Sequence, residues 1–479
     1  MLRDVDALAL SVQPALAGIA LEPSPQPIPD APHTSPQSPH SWDVVVVGAG
    51  AAGLLAAARA AELGRRTLLL EKNVRPGVKI LMSGGTRCNI TQATDHRGII
   101  REFGPQGRFL HSALATLSPQ DLVALIEAEG VATKVEETGK IFPVSNKASD
   151  VLDALLRRLH RSGAVLALGE PLIELERTQD GLFRLSTPKR ALEAPSVLIT
   201  TGGQSYPGSG TTGDGYRWAA QFGHTIVAPR PALTPITTDA AWVKTLSGLT
   251  IPDAAVRILD PAGFAGGKRH RPNGGPSCLA QRRGSLLFTH FGLSGPVVLD
   301  VSRVVSGHPQ PRTLTAECDF LPSITETALD ELVRAQCQAA GKKQLGGLLA
   351  THLPRRLADA LLALAGLSPE TRSAELSKAG RAQWVAAIKR AAIPISGTRG
   401  FKKAEVTAGG VALDEVDSRD MQSRLVPGLY LAGEVLDLDG PIGGYNFQAA
   451  FSTGWLAGEH VGKDKQQGGR KEESDAGEA

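Results

Sequence analysis

Hydrophobic and polar positions fall into distinct regimes along the chain. Val44 to Val47 (VVVV) is an unbroken β-branched run, the pattern of a strand buried on both faces. It passes into GAGAAG, then into an alanine-rich stretch that reads as a helix ending near Gly64. TLLLE follows as a second strand with Glu71 at its end. The buried-strand pattern returns in VLITTGG (197–203) and GLYLA (428–432), and GGYNFQAAFSTGWLAG then predicts a helix of small residues. Between 225 and 320 the apolar runs are short and broken by Pro and Gly (TIVAP, LTPITT, AAVRILD, GSLLFTHF, TLTAECDFL), which predicts antiparallel strands in a barrel or sandwich. From 323 to 392 the spacing becomes helical, with Leu and Ala faces, and the chain re-enters the sheet near Pro394. Patterning is lost at both ends. Residues 1–41 are rich in Pro, Ala and Ser and read as a disordered leader; 464–479 read as a disordered charged tail.

Composition adds limits. The 479 residues suggest about three domains, and 42% hydrophobic with 21% charged residues marks a globular chain. Lys plus Arg (51) against Asp plus Glu (48) leaves a net charge of +3, too small over this length to argue for nucleic acid by electrostatics alone, and a nucleic-acid partner is not expected. No stretch approaches the ~20 apolar residues of a membrane span, so no membrane partner is expected. The four cysteines, Cys88, Cys278, Cys318 and Cys337, form no CxxC pair and no zinc spacing. No metal is expected, and a cytoplasmic location follows from the low cysteine use. Asp4 and Asp6 and the lack of a sustained apolar core argue against a signal peptide.

The unit from Asp43 to Glu71 has the length of a βαβ element. Gly48 makes the tight turn, Gly50 admits a pyrophosphate to the backbone, and Gly53 lets the helix sit close to the sheet. Ala51 and Ala52 open that helix, whose N-terminus offers N–H groups to phosphates. Glu71, with Lys72 beside it, is placed for ribose hydroxyls. A dinucleotide is implied, without separating FAD from NAD. GSGTTGDG (208–215) fits the same string but follows Ser-Tyr-Pro rather than a strand, and no acid ends the next strand. It is rejected as a second nucleotide fold, though Thr212 and Asp214 remain cofactor-binding candidates.

Four stretches identify a family: GVKILMSGGTRCNITQ (77–92), VLITTGGQSYPGSGTTGDGY (197–216), FTHFGLSGP (288–296) and the run from Thr407 to His460. Together they resemble the YhiN/BaiN-like (aminoacetone oxidase-like) flavoproteins over about residues 43–462. The resemblance implies FAD and an α/β fold class: a Rossmann-type FAD-binding domain with an inserted β-barrel domain carrying a small helical subdomain. The corresponding boundaries are 42–203 and 404–463 for the FAD domain, 204–322 and 393–403 for the barrel, and 323–392 for the helical insert. Ser83, Gly84 and Gly85 would turn sharply against the cofactor. Lys79 and Arg87 offer charge to pyrophosphate or substrate, and Asn89 can bond the loop or the ring. Thr201, Gly202 and Gly203 end the third buried strand. Gly433 and Glu434 reach the ribityl chain. Gly443, Gly444, Tyr445, Asn446 and Phe447 form a helix N-terminus suited to the flavin N1–O2 edge. The basic stretch 262–284, with Lys268, Arg269, His270, Arg271, Arg282 and Arg283, reads first as a solvated hairpin insertion and second as a lid or an anionic-partner site.

In such a protein the flavin supplies the redox chemistry and the chain positions substrate. The catalytic candidates are His290, Tyr445 and Cys88, with Tyr206 next. Cys88 reads first as a small packed side chain and second as a thiolate beside Arg87. Lys402 and Lys403 read either as an anion site or as surface charge, and Asp214 as a helix cap or a ribityl ligand. Three functions compete. The first is reduction of an activated C=C or C=O bond in a small molecule, with NAD(P)H as transient electron donor. The second is an O₂-using oxidase of an amine or alcohol, and the third an RNA-associated flavoprotein. The oligomeric state is not legible.

Overall fold

The computed structural model describes residues 42–261, 264–265, 268–269 and 276–463. The expected leader and tail, and His270 and Arg271 of the basic stretch, lie outside the described residues.

The continuous apolar runs become a five-stranded parallel sheet in the order Leu429–Leu431, Ser196–Ile199, Val44–Val47, Thr67–Leu70, Val165–Ala167. Val44 to Val47 are all buried, as a strand covered on both faces requires. The first helix, Ala51–Glu62, lies on this sheet, and the last helix, Tyr445–His460, lies on the first. Their small residues let the two backbones touch. A Cβ at Gly454 would sit 2.4 Å from the Ala52 carbonyl oxygen, and one at Gly458 would sit 2.5 Å from that of Ala56.

The alternating runs become a seven-stranded antiparallel sheet: Ala391–Pro394, Thr315–Asp319, Thr250–Asp260, Ser277–Thr289, Gly292–Ser294, Ile236–Thr237, Gly397–Thr398. The two ends of this order are consecutive in the chain: Ala391–Pro394 pairs with Thr315–Asp319, Gly397–Thr398 pairs with Ile236–Thr237, and between them Ile395 N donates to the Leu314 carbonyl at 3.1 Å and Ser396 N to the Thr237 carbonyl at 2.8 Å. Arg283, at the end of the basic stretch, is held on its strand by Asp253 at 2.7 Å.

Three helices, Glu326–Ala339, Arg355–Leu364 and Lys378–Lys389, share this sheet's core with Phe288, Phe320 and Ile393, and the third packs on the strands Thr315–Asp319 and Ala391–Pro394. Thr325 and Ser377 cap the first and third by accepting from Ala328 N and Gly380 N. The two sheets are bridged by an antiparallel pair, Ile226–Ala232 with Val406–Val411. Beside that pair, Leu233, Val406 and Ile442 pack together.

Gly454→Val should lower unfolding stability by roughly 2 kcal/mol in urea titrations, because the added atoms meet backbone that cannot move aside. Wild-type stability in that variant would show that the helices do not rest on one another here.

Candidate active site

The site is built around the end of the first strand. Gly48 turns the chain at φ +106°, a region that favours glycine. A Cβ at Gly53 would lie only 1.9 Å from the Gly48 carbonyl oxygen, so this glycine is required for packing. Gly50 differs: a Cβ there would meet nothing within 4 Å, and the residue faces a cavity. Thr200 Oγ1 lies 2.9 Å from both the Val47 and Gly48 carbonyl oxygens and pins the turn from the neighbouring strand. Glu71 accepts from Ala49 N at 2.8 Å through one oxygen and from Asn73 N at 2.9 Å through the other. Its carboxylate thus holds the phosphate turn in shape while also forming cavity wall.

The cavity has a volume of about 700 Å³ and runs between the parallel sheet and the antiparallel pair. That is within the usual range for a cofactor cleft. Its wall includes Gly48, Gly50, Ala51, Ala52, Glu71, Lys72, Lys79, Ser83, Gly84, Gly85, Arg87 and Asn89. Thr201, Gly202, Asp214, Gly433, Glu434, Gly443, Gly444, Asn446 and Phe447 also belong to it. Two helix N-termini, capped by Gly50 and Gly444, reach this space. Neither has a side-chain cap or an acidic residue in its first turn, so the protein leaves their positive ends unopposed. Asn89 Oδ1 and Thr201 Oγ1 are buried without a hydrogen-bond partner. A glycine cradle, two uncapped helix starts and orphaned polar atoms fit FAD.

The loop after Lys79 bends as its glycines predict. Gly84, Gly85, Thr86 and Cys88 all take positive φ, the last two at the cost that non-glycine residues bear there. Arg87 stacks 4.0 Å over the Phe142 ring and pairs with Glu136 at 2.6 Å. Lys79 pairs with Glu434, whose other oxygen accepts from Thr407 N at 2.9 Å. The two residues read separately as phosphate and ribityl ligands therefore neutralise each other in the wall. Lys72 pairs in the same way with Asp214 at 2.6 Å. Asp214 does not cap its helix; Gly213 holds that position, and Asp214 is the first helical residue.

None of the three catalytic candidates reaches the wall. Cys88 is fully buried, and burial pushes its thiol up to about 12, which leaves no thiolate near neutral pH. His290 is exposed at the hairpin tip between Ser277–Thr289 and Gly292–Ser294, its ring edge-on to Phe291 at 5.0 Å. Tyr445 lies half-buried beside Gly443, and burial, with Glu102 and Asp300, raises its phenol pKa. Gly53, Gly203 and Thr212 are also not part of the wall. Gly203 is pressed on Thr407, and Thr212 is 2.6 Å from Lys72 Nζ. Lys402 and Lys403 are exposed and lie off the wall. Tyr206 does line it, at φ +56°.

The sequence reading missed Glu405 and Lys140, both on the wall. Of five wall carboxylates, Glu71, Glu170, Asp214 and Glu434 are engaged, Glu170 by Arg190 at 2.9 Å. Glu405 has no side-chain hydrogen bond or ion pair among the described residues. It stands open to the cavity, and desolvation raises its pKa against the pull of Lys79 and Lys140. Two further carboxyls lie just behind. Asp300 accepts from Ile442 N at 2.8 Å and is raised to about 6 by burial. Asp439, 3.2 Å from Arg303, is raised to about 7 by burial. The only local signal for Glu405 was its place two residues after the lysine pair of GFKKAEV.

Residues 42–460 match the family model for the HI0933-like protein Rossmann domain, and the chain belongs to this family. It is an FAD-dependent oxidoreductase of the YhiN/BaiN-like group. The chain is 34% identical to an Escherichia coli ribosomal RNA dihydrouridine synthase, over 88% of its own length and 98% of the relative. A Haemophilus influenzae ribosomal RNA dihydrouridine synthase is 32% identical over 86% and 96%. A 3-dehydro-bile acid delta(4,6)-reductase of Clostridium scindens is 29% identical over 86% and 97%. Among the described residues no single helix is long and apolar enough to cross a membrane.

Two outcomes follow. Gly50→Val should fold with a near-native melting curve yet purify colourless, whereas Gly53→Val should fail to fold; equal flavin content in Gly50→Val and wild type would contradict the cradle. Asp439 has a second outcome, because its pKa rises from 3.8 to about 7 on folding. The native state then holds a proton that the unfolded chain releases between those values, so this group's contribution to stability falls as pH rises through that window. The stability gap between wild type and Asp439→Asn, followed by urea unfolding, should shift in favour of the variant from pH 4 to pH 7 and then level off.

Proposed function

We propose that this protein reduces a carbon–carbon double bond conjugated to a carbonyl, and that the bond is the ring double bond of a uridine in ribosomal RNA. The observation that carries this reading is one cavity in which the glycine cradle for FAD and an unpaired carboxyl and ammonium, Glu405 and Lys140, share the same space. The names of the relatives supply the bond type. A dihydrouridine synthase saturates the uracil ring, and a delta(4,6)-reductase saturates double bonds of a bile acid. The higher identities, 34% and 32% against 29%, favour the RNA base over a small enone. This reverses the ranking taken from the net charge of +3, which reports on the whole chain rather than on the site.

The chain's own groups suit that chemistry. Bound FAD supplies the hydride. Lys140 Nζ offers a donor to the conjugated carbonyl oxygen, where negative charge grows as the bond is reduced. Leu233, Val406, Pro441 and Ile442 make an apolar wall that excludes water from the reacting bond. The chain carries no second nucleotide fold among the described residues, so a nicotinamide donor would enter the same cavity transiently.

Anaerobic mixing with NADH and with NADPH tests the donor by bleaching of the flavin absorbance. The reduced protein should then be reoxidised by an unmodified ribosomal RNA transcript in the absence of oxygen. Reoxidation by oxygen alone, with the transcript inert, would contradict the reading.

A further inference from the structure

We propose that Glu405 is the proton donor of the reaction, delivering its carboxyl proton to the carbon next to the substrate carbonyl while Lys140 holds the carbonyl oxygen. This assignment rests on the double-bond reading above and names the group that completes it. Saturating the bond requires one hydride and one proton. The hydride, with two electrons from the reduced cofactor, forms the C–H bond at the β-carbon. The π pair moves toward the carbonyl. The O–H bond of Glu405 breaks as the second C–H bond forms at the α-carbon, and the carboxylate regains its proton from water.

Among the wall carboxylates the geometry selects Glu405 by elimination. Every other wall carboxylate is committed: Glu71 to two backbone N–H groups, Glu170 to Arg190, Asp214 to Lys72 and Glu434 to Lys79. The Cys88 thiol is sealed behind the wall, and the His290 and Tyr445 side chains lie off it. Glu405 sits at the start of the strand Val406–Val411, with its backbone fixed by donation from its N–H to the Leu233 carbonyl at 3.1 Å. Its carboxyl lies on the wall of the cavity and is open to it, and the charges that act on it are Lys79, Lys140 and Asp300. Lys79 is neutralised by Glu434, and Lys140 is not within ion-pair distance of Glu405 among the described contacts. Burial, seconded by Asp300, favours the protonated acid that donation needs.

Two measurements on the full-length protein test this. The first needs no turnover. In carboxyl-region infrared spectra at pH 7, wild type should carry a protonated-carboxyl band that is absent from Glu405→Gln, and the difference should titrate with pH. An ionised Glu405 at pH 7 overturns the assignment whatever the substrate. The second measurement photoreduces the flavin without nicotinamide and mixes the protein with unmodified ribosomal RNA transcript or with 2-cyclohexenone. Glu405→Gln should keep its flavin spectrum and photoreduction but slow reoxidation by about a hundredfold or more. Glu405→Asp should recover part of the rate with a shifted pH profile. Equal reoxidation in wild type and Glu405→Gln overturns the assignment. A protonated Glu405 and slowed cyclohexenone reduction, with RNA inert toward wild type, supports the proton donor and contradicts the RNA substrate.

Discussion

The structure depends on one steric constraint, the contact of two backbones at Gly53 and Gly48. With the Gly53 Cβ position only 1.9 Å from the Gly48 carbonyl oxygen, the first helix can start close against the sheet only because that atom is missing. The contact sets the angle at which the helix leaves the strand. It thereby turns the Gly50 face toward open space and brings Ala52 and Ala56 under Gly454 and Gly458 of the last helix. Both helix N-termini then converge on one cavity. Glu71 and Thr200 secure the turn from either side, one by accepting a backbone N–H and the other by lying against two carbonyls.

Around that cradle, charge is mostly cancelled within the wall. Lys72 with Asp214 and Lys79 with Glu434 remove two ammonium groups and two carboxylates from the chemistry. Such partly buried pairs position more than they stabilise. What remains uncommitted among the described residues is sparse: Glu405, Lys140, the Tyr206 phenol and the buried oxygens of Asn89 and Thr201. A site in which most charges are paired and a few are left free is the arrangement expected where the free ones act on a substrate.

The glycine turn, the parallel strands and the small-residue helix were legible because each is a local signal whose physics is complete within about thirty residues. Burial is not local. Cys88 and Arg87 are adjacent, yet the positive φ at Cys88 sends its thiol into the core and leaves Arg87 over Phe142. His290 read as catalytic because it lies in a family motif, but its hairpin tip faces solvent. Glu405 carries no local signal beyond the two lysines that precede it. Its environment is made by Leu233, Lys140 and Ile442, which lie 172, 265 and 37 positions away and meet it only on folding. The antiparallel strands between 225 and 320 were legible from strand periodicity, which reports alternation but not the order in which strands pair.

The central claim is that this one cavity adds a hydride and a carboxyl-derived proton across a conjugated double bond. Anaerobic reaction of the reduced protein with unmodified ribosomal RNA in D₂O, followed by nucleoside mass spectrometry, tests it most directly. The account predicts a dihydrouridine carrying a solvent-derived deuteron on the carbon beside the carbonyl. Unaltered uridine, with hydrogen peroxide as the sole product once air is admitted, would contradict it.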